Sequence, residues 1–441
     1  MSVFKEKRSF LLWLSFLAII TCTALNEFSV DQKSLLKFSK SISTPTNKFY
    51  SNVLPAESYY GLSCEAIINS SLSDAELEKL QQRIQNTKQE DREEFFATLS
   101  ESNLTSWIEN ERCDSFIKKR KYITAPLSDR EAEFPIAYAI VAYEKAGEVE
   151  RLLRSIYRPQ NVYCIHADKK SDNTFYQALV RLASCFPNVI LASKRETVTY
   201  AHYSRLQADF NCMEDLLNHP IKWKYYINLC GTDFPLKTNA EIVRYLSYIS
   251  PHNEIECVPM SPGKVARLTW HYQLEKGENG KYNVVNTREE NPPPPHGIGK
   301  YAGSAYNILS RAFVDYTMNN STVFEIRQWS RDTLTPDEFL WAALSRFPGA
   351  PGYLPPNPRY DKNEFQSLAR IVKWYDHVLN GLYPRCYGAY RHGICVYGAG
   401  DLPWLLEQKH LFANKFSAWN DDLAIQCLEK HLRRKELSEK F

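Results

Sequence analysis

From Phe134 to Phe234 the chain alternates two patterns of apolar residues. The short unbroken runs FPIAYAIVAY, NVYCIHAD, NVILAS and KYYINLCGTDF have the length and the aromatic and β-branched content of strands buried on both faces. Between them, GEVERLLRSIY, TFYQALVRLASCF and SRLQADFNCMEDLL repeat apolar residues at helical spacing. Strands alternating with helices predict an α/β fold built on a parallel, doubly wound sheet. Ligands of such sheets sit beyond the C-terminal ends of the strands. Val141, Ala142 and Tyr143, then Asp168, Lys169 and Lys170, then Tyr200 and the CGTDFP segment are therefore expected to border one crevice. Asp168 is equally open to capping the element that follows it.

The pattern differs towards the N-terminus. After Lys5, Lys7 and Arg8 comes FLLWLSFLAIITCTAL, an uncharged stretch from Phe10 to Leu25 with its basic flank leading. It is slightly short of the roughly 17 to 25 residues of a spanning helix, and Cys22-Thr23-Ala24 resembles a signal-peptidase site; an uncleaved signal-anchor is the preferred reading. The expected order is a cytoplasmic tail over 1–9, an anchor over 10–25, a lumenal stem or accessory region over 26–125 and the main α/β domain over 126–441. The stem is polar and charge-mixed; DAELEKLQQRIQNTKQEDREEF reads as an exposed helix, and no dense core is expected there. Beyond Cys257 the chain becomes loop-rich, with NPPPPHG an irregular connection.

Charge and cysteine usage narrow the class. A net charge of +3 from 54 basic and 51 acidic residues, without long one-sign blocks, gives no sign of a nucleic-acid surface. Ten of the eleven cysteines follow the anchor and none form C-x-x-C, which favours disulfides over zinc or thioredoxin-type chemistry. Sequons at Asn69, Asn103, Asn319 and Asn320 agree with a secretory compartment. Neither a G-x-G-x-x-G after the first strand nor a P-loop is present, and no two aspartates stand two apart as in a metal-binding Asp-x-Asp. In TPDEFLWAAL, a threonine followed three residues later by Glu338 reads as a capping box, with Thr335 as N-cap and Pro336 at N1. The same carboxylate is also placed to serve as a base.

Taken in order, EFPIAYAIV, PQNVYCIHADKK, SRLQADFNCMEDLL, WKYYINLCGTDFPLKTNAEIV, GSAYNILSR, TPDEFLWAAL, ICVYGAGDLPWLL and LFANKF resemble the core 2 and I-branching β-1,6-N-acetylglucosaminyltransferases, from about Phe134 to Leu432. The resemblance implies a single-pass type II Golgi membrane protein with a GT-A-like catalytic domain. It implies transfer of N-acetylglucosamine from UDP-N-acetylglucosamine to the 6-hydroxyl of an acceptor sugar on a mucin-type glycoprotein, with inversion and without a metal. Glu338 matches the catalytic base, so cap and base become two roles of one side chain. Val141 to Tyr143, Asp168 to Lys170 and Tyr200 would hold the nucleotide-sugar.

By the same resemblance two cations replace the metal at the diphosphate. Lys415 matches one; the other falls on His392 by counting back from Cys395, with Arg391 one residue earlier, and either is open to the role. Glu256, Lys264 and Arg267 match contacts to a Gal-β-1,3-GalNAc acceptor, Arg359 stands where a lysine is usual, and the shifted stretch KWYDHVLNG leaves Tyr375 and Asp376 as the aromatic and acidic contacts. Glu256 favours core 2 branching, whereas YRHGIC is similar to the I-branching type, whose acceptor is poly-N-acetyllactosamine. The implied disulfides are Cys64–Cys427, Cys113–Cys185, Cys164–Cys212 and Cys386–Cys395, leaving Cys230 and Cys257 free. Two rivals stand apart: an inactive membrane-anchored glycan-binding protein, which intact Glu338 and Lys415 oppose, and a glycosidase, which needs carboxylates on opposite faces of the bond rather than the adjacent Asp337 and Glu338. Whether the protein is a homodimer is left open.

Overall fold

A computed structural model of the chain describes residues 60–87, 100–278, 280–355 and 367–438. The anchor expected at Phe10 to Leu25, and Arg359, lie outside them. Among the described residues no helix is long and apolar enough to cross a membrane.

The alternating runs form the strands they predict: β1 (Ile136–Ala142), β2 (Val162–Ala167), β3 (Val189–Leu191) and β4 (Tyr225–Cys230). They lie in the order β3-β2-β1-β4, each neighbour parallel to the next. Both faces are covered, and side-chain alternation divides each strand between two cores. Ile136, Tyr138 and Ile140 of β1 pack with Val149 and Leu152 of the helix Ala146–Ile156 and with Leu179 of the helix Asn173–Ser184. Ala137 and Ala139 face Leu206, Phe210 and Met213 of the helix Tyr203–Asn218. The expectation of a wholly parallel sheet is corrected at one edge, where Asn307–Ser310 runs antiparallel to β4 and Glu254–Ile255 antiparallel to it in turn.

The fourth run is also shorter than its apolar pattern. The strand ends at Cys230, because Gly231 turns the chain so tightly over β1 that an added Cβ would sit 3.1 Å from that of Ala142. Asp233–Pro235 then joins a separate small sheet, antiparallel to Phe412–Asn414, which is parallel to Arg370–Val372.

The described part of residues 26–125 does have a core, contrary to the reading of a stem without one. The helix Asp74–Asn86 starts at a true capping box, Ser73 with Glu76, and buries Leu80 and Ile84. These join Tyr60, Cys64 and Ile67 against Leu402, Leu405, Leu423 and Leu428. Leu104, Ile108 and Phe116 of Glu101–Lys119 enter the core of the sheet itself. The partners that bury Leu80 and Ile84 come from the C-terminal part of the chain, so no local window shows this core. The Cys64–Cys427 disulfide spans 363 residues and, on a chain-entropy account, stabilises the fold by on the order of 4 kcal/mol or more. The other three bridges form as the resemblance implied, Cys113–Cys185, Cys164–Cys212 and Cys386–Cys395, and Cys230 and Cys257 are outside any disulfide.

Candidate active site

The C-terminal ends of β1, β2 and β4 lie side by side in the sheet. Asp168, buried at the end of β2, fixes its own loop: its Oδ1 accepts from the Lys170 backbone N–H at 3.0 Å, and its Oδ2 lies 3.0 Å from Lys170 Nζ. It caps no helix, since the next one, Asn173–Ser184, has Asp172 as its N-cap. Asp168 N–H donates to the Ala142 carbonyl, joining the ends of β1 and β2. Tyr143 is half exposed at the rim, Lys169 and Lys170 are exposed, and Tyr200 is 91% exposed. Val141 to Tyr143 and Asp168 to Lys170 thus lie at the adjacent ends of β1 and β2, while Tyr200 stands exposed on the loop leading to Ala201.

Arg391 and His392 occupy different parts of one hairpin. The strands Ala389–Arg391 and Ile394–Val396 form a hairpin whose last pair is Arg391 with Ile394. His392 and Gly393 make its two-residue turn, at φ of 54° and 74°, as a primed turn requires. His392 is exposed at that tip. Arg391 instead donates through Nη2 to the Tyr143 hydroxyl at 3.2 Å, reaching the end of β1. Burial pulls the Lys415 ammonium below its ordinary pKa; the Cys230 thiol opposes this, and Arg391 adds to it from close by. Arg391 and Lys415 are thus neighbouring positive charges near the end of β1. The stretch with Tyr375 and Asp376 packs on the same hairpin: Tyr375 N–H donates to the Gly393 carbonyl at 2.8 Å, and its ring meets that of Tyr390 edge-on at 5.1 Å. Asp376 is exposed beside it.

The segment Thr335–Glu338 is not a capped α-helix, which corrects the capping-box reading. Thr335 has φ of 49°, its side chain caps nothing, and Pro336–Glu338 is a single 3-10 turn before the helix Leu340–Ser345. The pattern was satisfied, but tertiary bonds took the side chains. Arg267 Nη1 donates to Glu338 Oε2 at 2.6 Å and to Thr335 Oγ1 at 2.9 Å, while Leu334 N–H donates to the Arg267 carbonyl. Thr335 N–H reaches the carbonyl of Ala201, next to Tyr200. Gly303, the first residue of GSAYNILSR, donates to the Glu338 carbonyl at 2.8 Å, and a Cβ there would fall 1.9 Å from the Glu256 carbonyl oxygen. Only glycine lets the Glu256 and Glu338 segments close on it. Lys264 lies one turn before Arg267 in the helix Pro262–Thr269, on the same face.

Between the two ends run residues that the sequence reading did not single out. Arg205, in the first turn of Tyr203–Asn218, donates to Asp209 at 2.7 Å. Burial works against its charge, yet Asp209 and Asp337, with smaller help from Tyr306 and Cys230, hold its pKa above the ordinary value. Asp337 is pushed up to about 6, chiefly by burial, with Arg205 opposing and Glu338 reinforcing the shift. Cys230, the last residue of β4, acts electrostatically on both Arg205 and Lys415. Asp233 anchors this strand end, accepting from Cys230 N–H at 2.7 Å and Asn414 Nδ2 at 2.8 Å and pairing with Arg370 at 3.1 Å. The i, i+4 pair Arg205 and Asp209 was visible in SRLQAD; its direction into the crevice was not. Of the sequons, Asn69, Asn103 and Asn319 are exposed, while Asn320 accepts from Val323 N–H as a helix cap.

The Core-2/I-Branching enzyme family matches residues 136–406, a span that contains β1, β4, the Thr335–Glu338 turn and the Arg391 hairpin. The chain belongs to this family. Over 329 residues, 74% of this chain, it is 46% identical to the rat β-1,3-galactosyl-O-glycosyl-glycoprotein β-1,6-N-acetylglucosaminyltransferase 3, covering 74% of that protein. Identity is 47% to the human β-1,3-galactosyl-O-glycosyl-glycoprotein β-1,6-N-acetylglucosaminyltransferase and to the zebrafish enzyme numbered 4, in each case over 74% of this chain and 76% of the relative. Membership establishes the glycosyltransferase fold around the mixed sheet.

Proposed function

We propose that the chain is an inverting glycosyltransferase that moves N-acetylglucosamine from UDP-N-acetylglucosamine to O6 of the GalNAc in Gal-β-1,3-GalNAc, forming core 2 branches on mucin-type glycoproteins. The observation that carries this reading is the separation of charge along one crevice: the Glu338 carboxylate at one end, Arg391 and Lys415 at the other, in a chain closely related to named core 2 enzymes. The nucleotide-sugar lies along the ends of β1 and β2, with its diphosphate towards Arg391 and Lys415. Glu338 removes the proton from O6 as O6 bonds to the anomeric carbon and the bond from that carbon to the diphosphate oxygen breaks, so UDP leaves as an anion. The two cations offset the charge growing on it, the work a divalent ion does elsewhere. Glu256, Lys264 and Arg267 face the acceptor from the Glu338 side. The protein acts in the Golgi lumen behind an anchor at Phe10 to Leu25; four disulfides support an oxidising compartment.

A panel of acceptors tests this, with the chain purified in EDTA and supplied with UDP-N-acetylglucosamine. Transfer to Gal-β-1,3-GalNAc in EDTA is expected, well above transfer to poly-N-acetyllactosamine. A preference for poly-N-acetyllactosamine would make the enzyme I-branching, and activity lost in EDTA and restored by manganese would end the metal-free mechanism.

A further inference from the structure

The Glu338 side chain has a charged partner. One carboxylate oxygen, Oε2, is taken by Arg267 Nη1 at 2.6 Å, and the same nitrogen also donates to Thr335 Oγ1 at 2.9 Å. The pair is open to solvent, with the Arg267 side chain 32% and the Glu338 side chain 40% exposed. The backbone adds to the clamp, because the Arg267 carbonyl accepts from Leu334 N–H at 3.0 Å and Glu338 N–H donates to the Thr335 carbonyl at 3.0 Å. A guanidinium seated on one carboxylate oxygen occupies lone-pair directions that an incoming hydroxyl or water would otherwise use. A base held this way is poorly placed to activate a nucleophile for as long as the arginine stays on it. Water reaches so open a pair freely, and water that attacks the anomeric carbon turns the donor into free N-acetylglucosamine, UDP and a proton.

We propose that Arg267 restrains Glu338 until an acceptor sugar takes over its guanidinium, so that the enzyme withholds its base from water and releases it to the correct hydroxyl. Sugar hydroxyls also accept hydrogen bonds from a guanidinium, each more weakly than a carboxylate does, and several of them acting together replace the single pair. Arg267 is a positioning residue for the base in this account as well as a contact to the acceptor. The inference rests on Glu338 being the base, as proposed above.

The test compares UDP release from UDP-N-acetylglucosamine without acceptor against transfer to Gal-β-1,3-GalNAc, using full chains whose melting temperatures show that they are folded. Arg267→Gln is expected to raise acceptor-free UDP release about tenfold or more while lowering transfer, and Arg267→Lys, which keeps the charge, to hold release within about threefold of the parent. A residue that only contacts the acceptor would lower transfer and leave release unchanged, and that outcome overturns the proposal. So does a raised release that persists in Arg267→Gln/Glu338→Gln, since Glu338 would then not be activating the water. Should Arg267→Gln fail to fold, Arg267→Met keeps an unbranched side chain without a donor; acceptor-free release is then expected to rise about tenfold, and no rise counts against the restraint. Failure of the underlying reading looks different: the parent chain itself would transfer nothing to any acceptor.

Discussion

The two ends of the crevice are built by different means. At the donor end, Val141 to Tyr143 and Asp168 to Lys170 are delivered by parallel strands buried on both faces, and Asp168 N–H bonds to the Ala142 carbonyl across them. Backbone ladders fix these positions whatever the side chains at the tip. At the base end, Glu338 sits in an irregular turn whose first residue has a left-handed backbone, held by one arginine 71 residues away in sequence and by a glycine that tolerates no side chain. A site held by side chains can change hands when a substrate arrives; a site held by strand ends cannot. The donor end is therefore suited to a ligand that binds in one way, and the base end to a switch between resting and acceptor-bound states.

The comparison is sharpened first by the base itself. Glu338→Gln keeps the turn and can still accept from Arg267, but it cannot take up a proton; transfer should fall by about 100-fold or more with donor affinity little changed. Near-parental turnover in the folded variant would make Glu338 a structural partner of Arg267 and nothing more.

The cations come next. Arg391→Ala and Lys415→Ala should each lower transfer by roughly 10- to 100-fold, because each removes charge facing the leaving diphosphate, whereas His392→Ala at the exposed turn should stay within about threefold. A larger loss in His392→Ala than in Arg391→Ala would reverse the assignment drawn from the hairpin geometry.

The smallest effect concerns Asp337, whose folded-state pKa of about 6 lies above the usual aspartate value near 3.8. Between those values the folded protein retains a proton that the unfolded chain has given up. This contribution to stability is complete below about pH 4 and lost as pH rises through about 6. Asp337→Asn abolishes the loss, so the melting temperature of the variant minus that of the parent should grow from pH 4 to about 6.5 and then level off. A gap that is constant or shrinks over that range would show that Asp337 is not held against its ionisation.

The same contrast explains what was legible in the sequence. β1, β2 and β4 announce themselves because strands buried on both faces are continuous apolar runs, and with them came the donor-side residues. The antiparallel edge at Asn307–Ser310 carried no such mark, since a run of four residues reads alike in either direction. Thr335 to Glu338 was misread locally, because serine or threonine followed three residues later by glutamate is satisfied by a helix cap and by a 3-10 turn alike. The bonds that decide between them come from Arg267, which no local window includes. Counting back from Cys395 fell on His392, with Arg391 one residue earlier, and no local window shows that His392 lies in a hairpin turn while Arg391 is on the strand and bonds to Tyr143. The buried face of Asp74–Asn86 was missed for a similar reason: Leu80 and Ile84 alone are too sparse to predict a core until the Cys64–Cys427 bridge brings the C-terminal helix beside them.

The structure of the product is the most direct test of the whole account. Incubated with UDP-N-acetylglucosamine and Gal-β-1,3-GalNAc, the protein should yield a trisaccharide whose NMR spectrum shows the new sugar as the β anomer joined to O6 of GalNAc, as a single displacement with Glu338 as base requires. An α-linked product, or one carrying the new sugar on galactose, would contradict it.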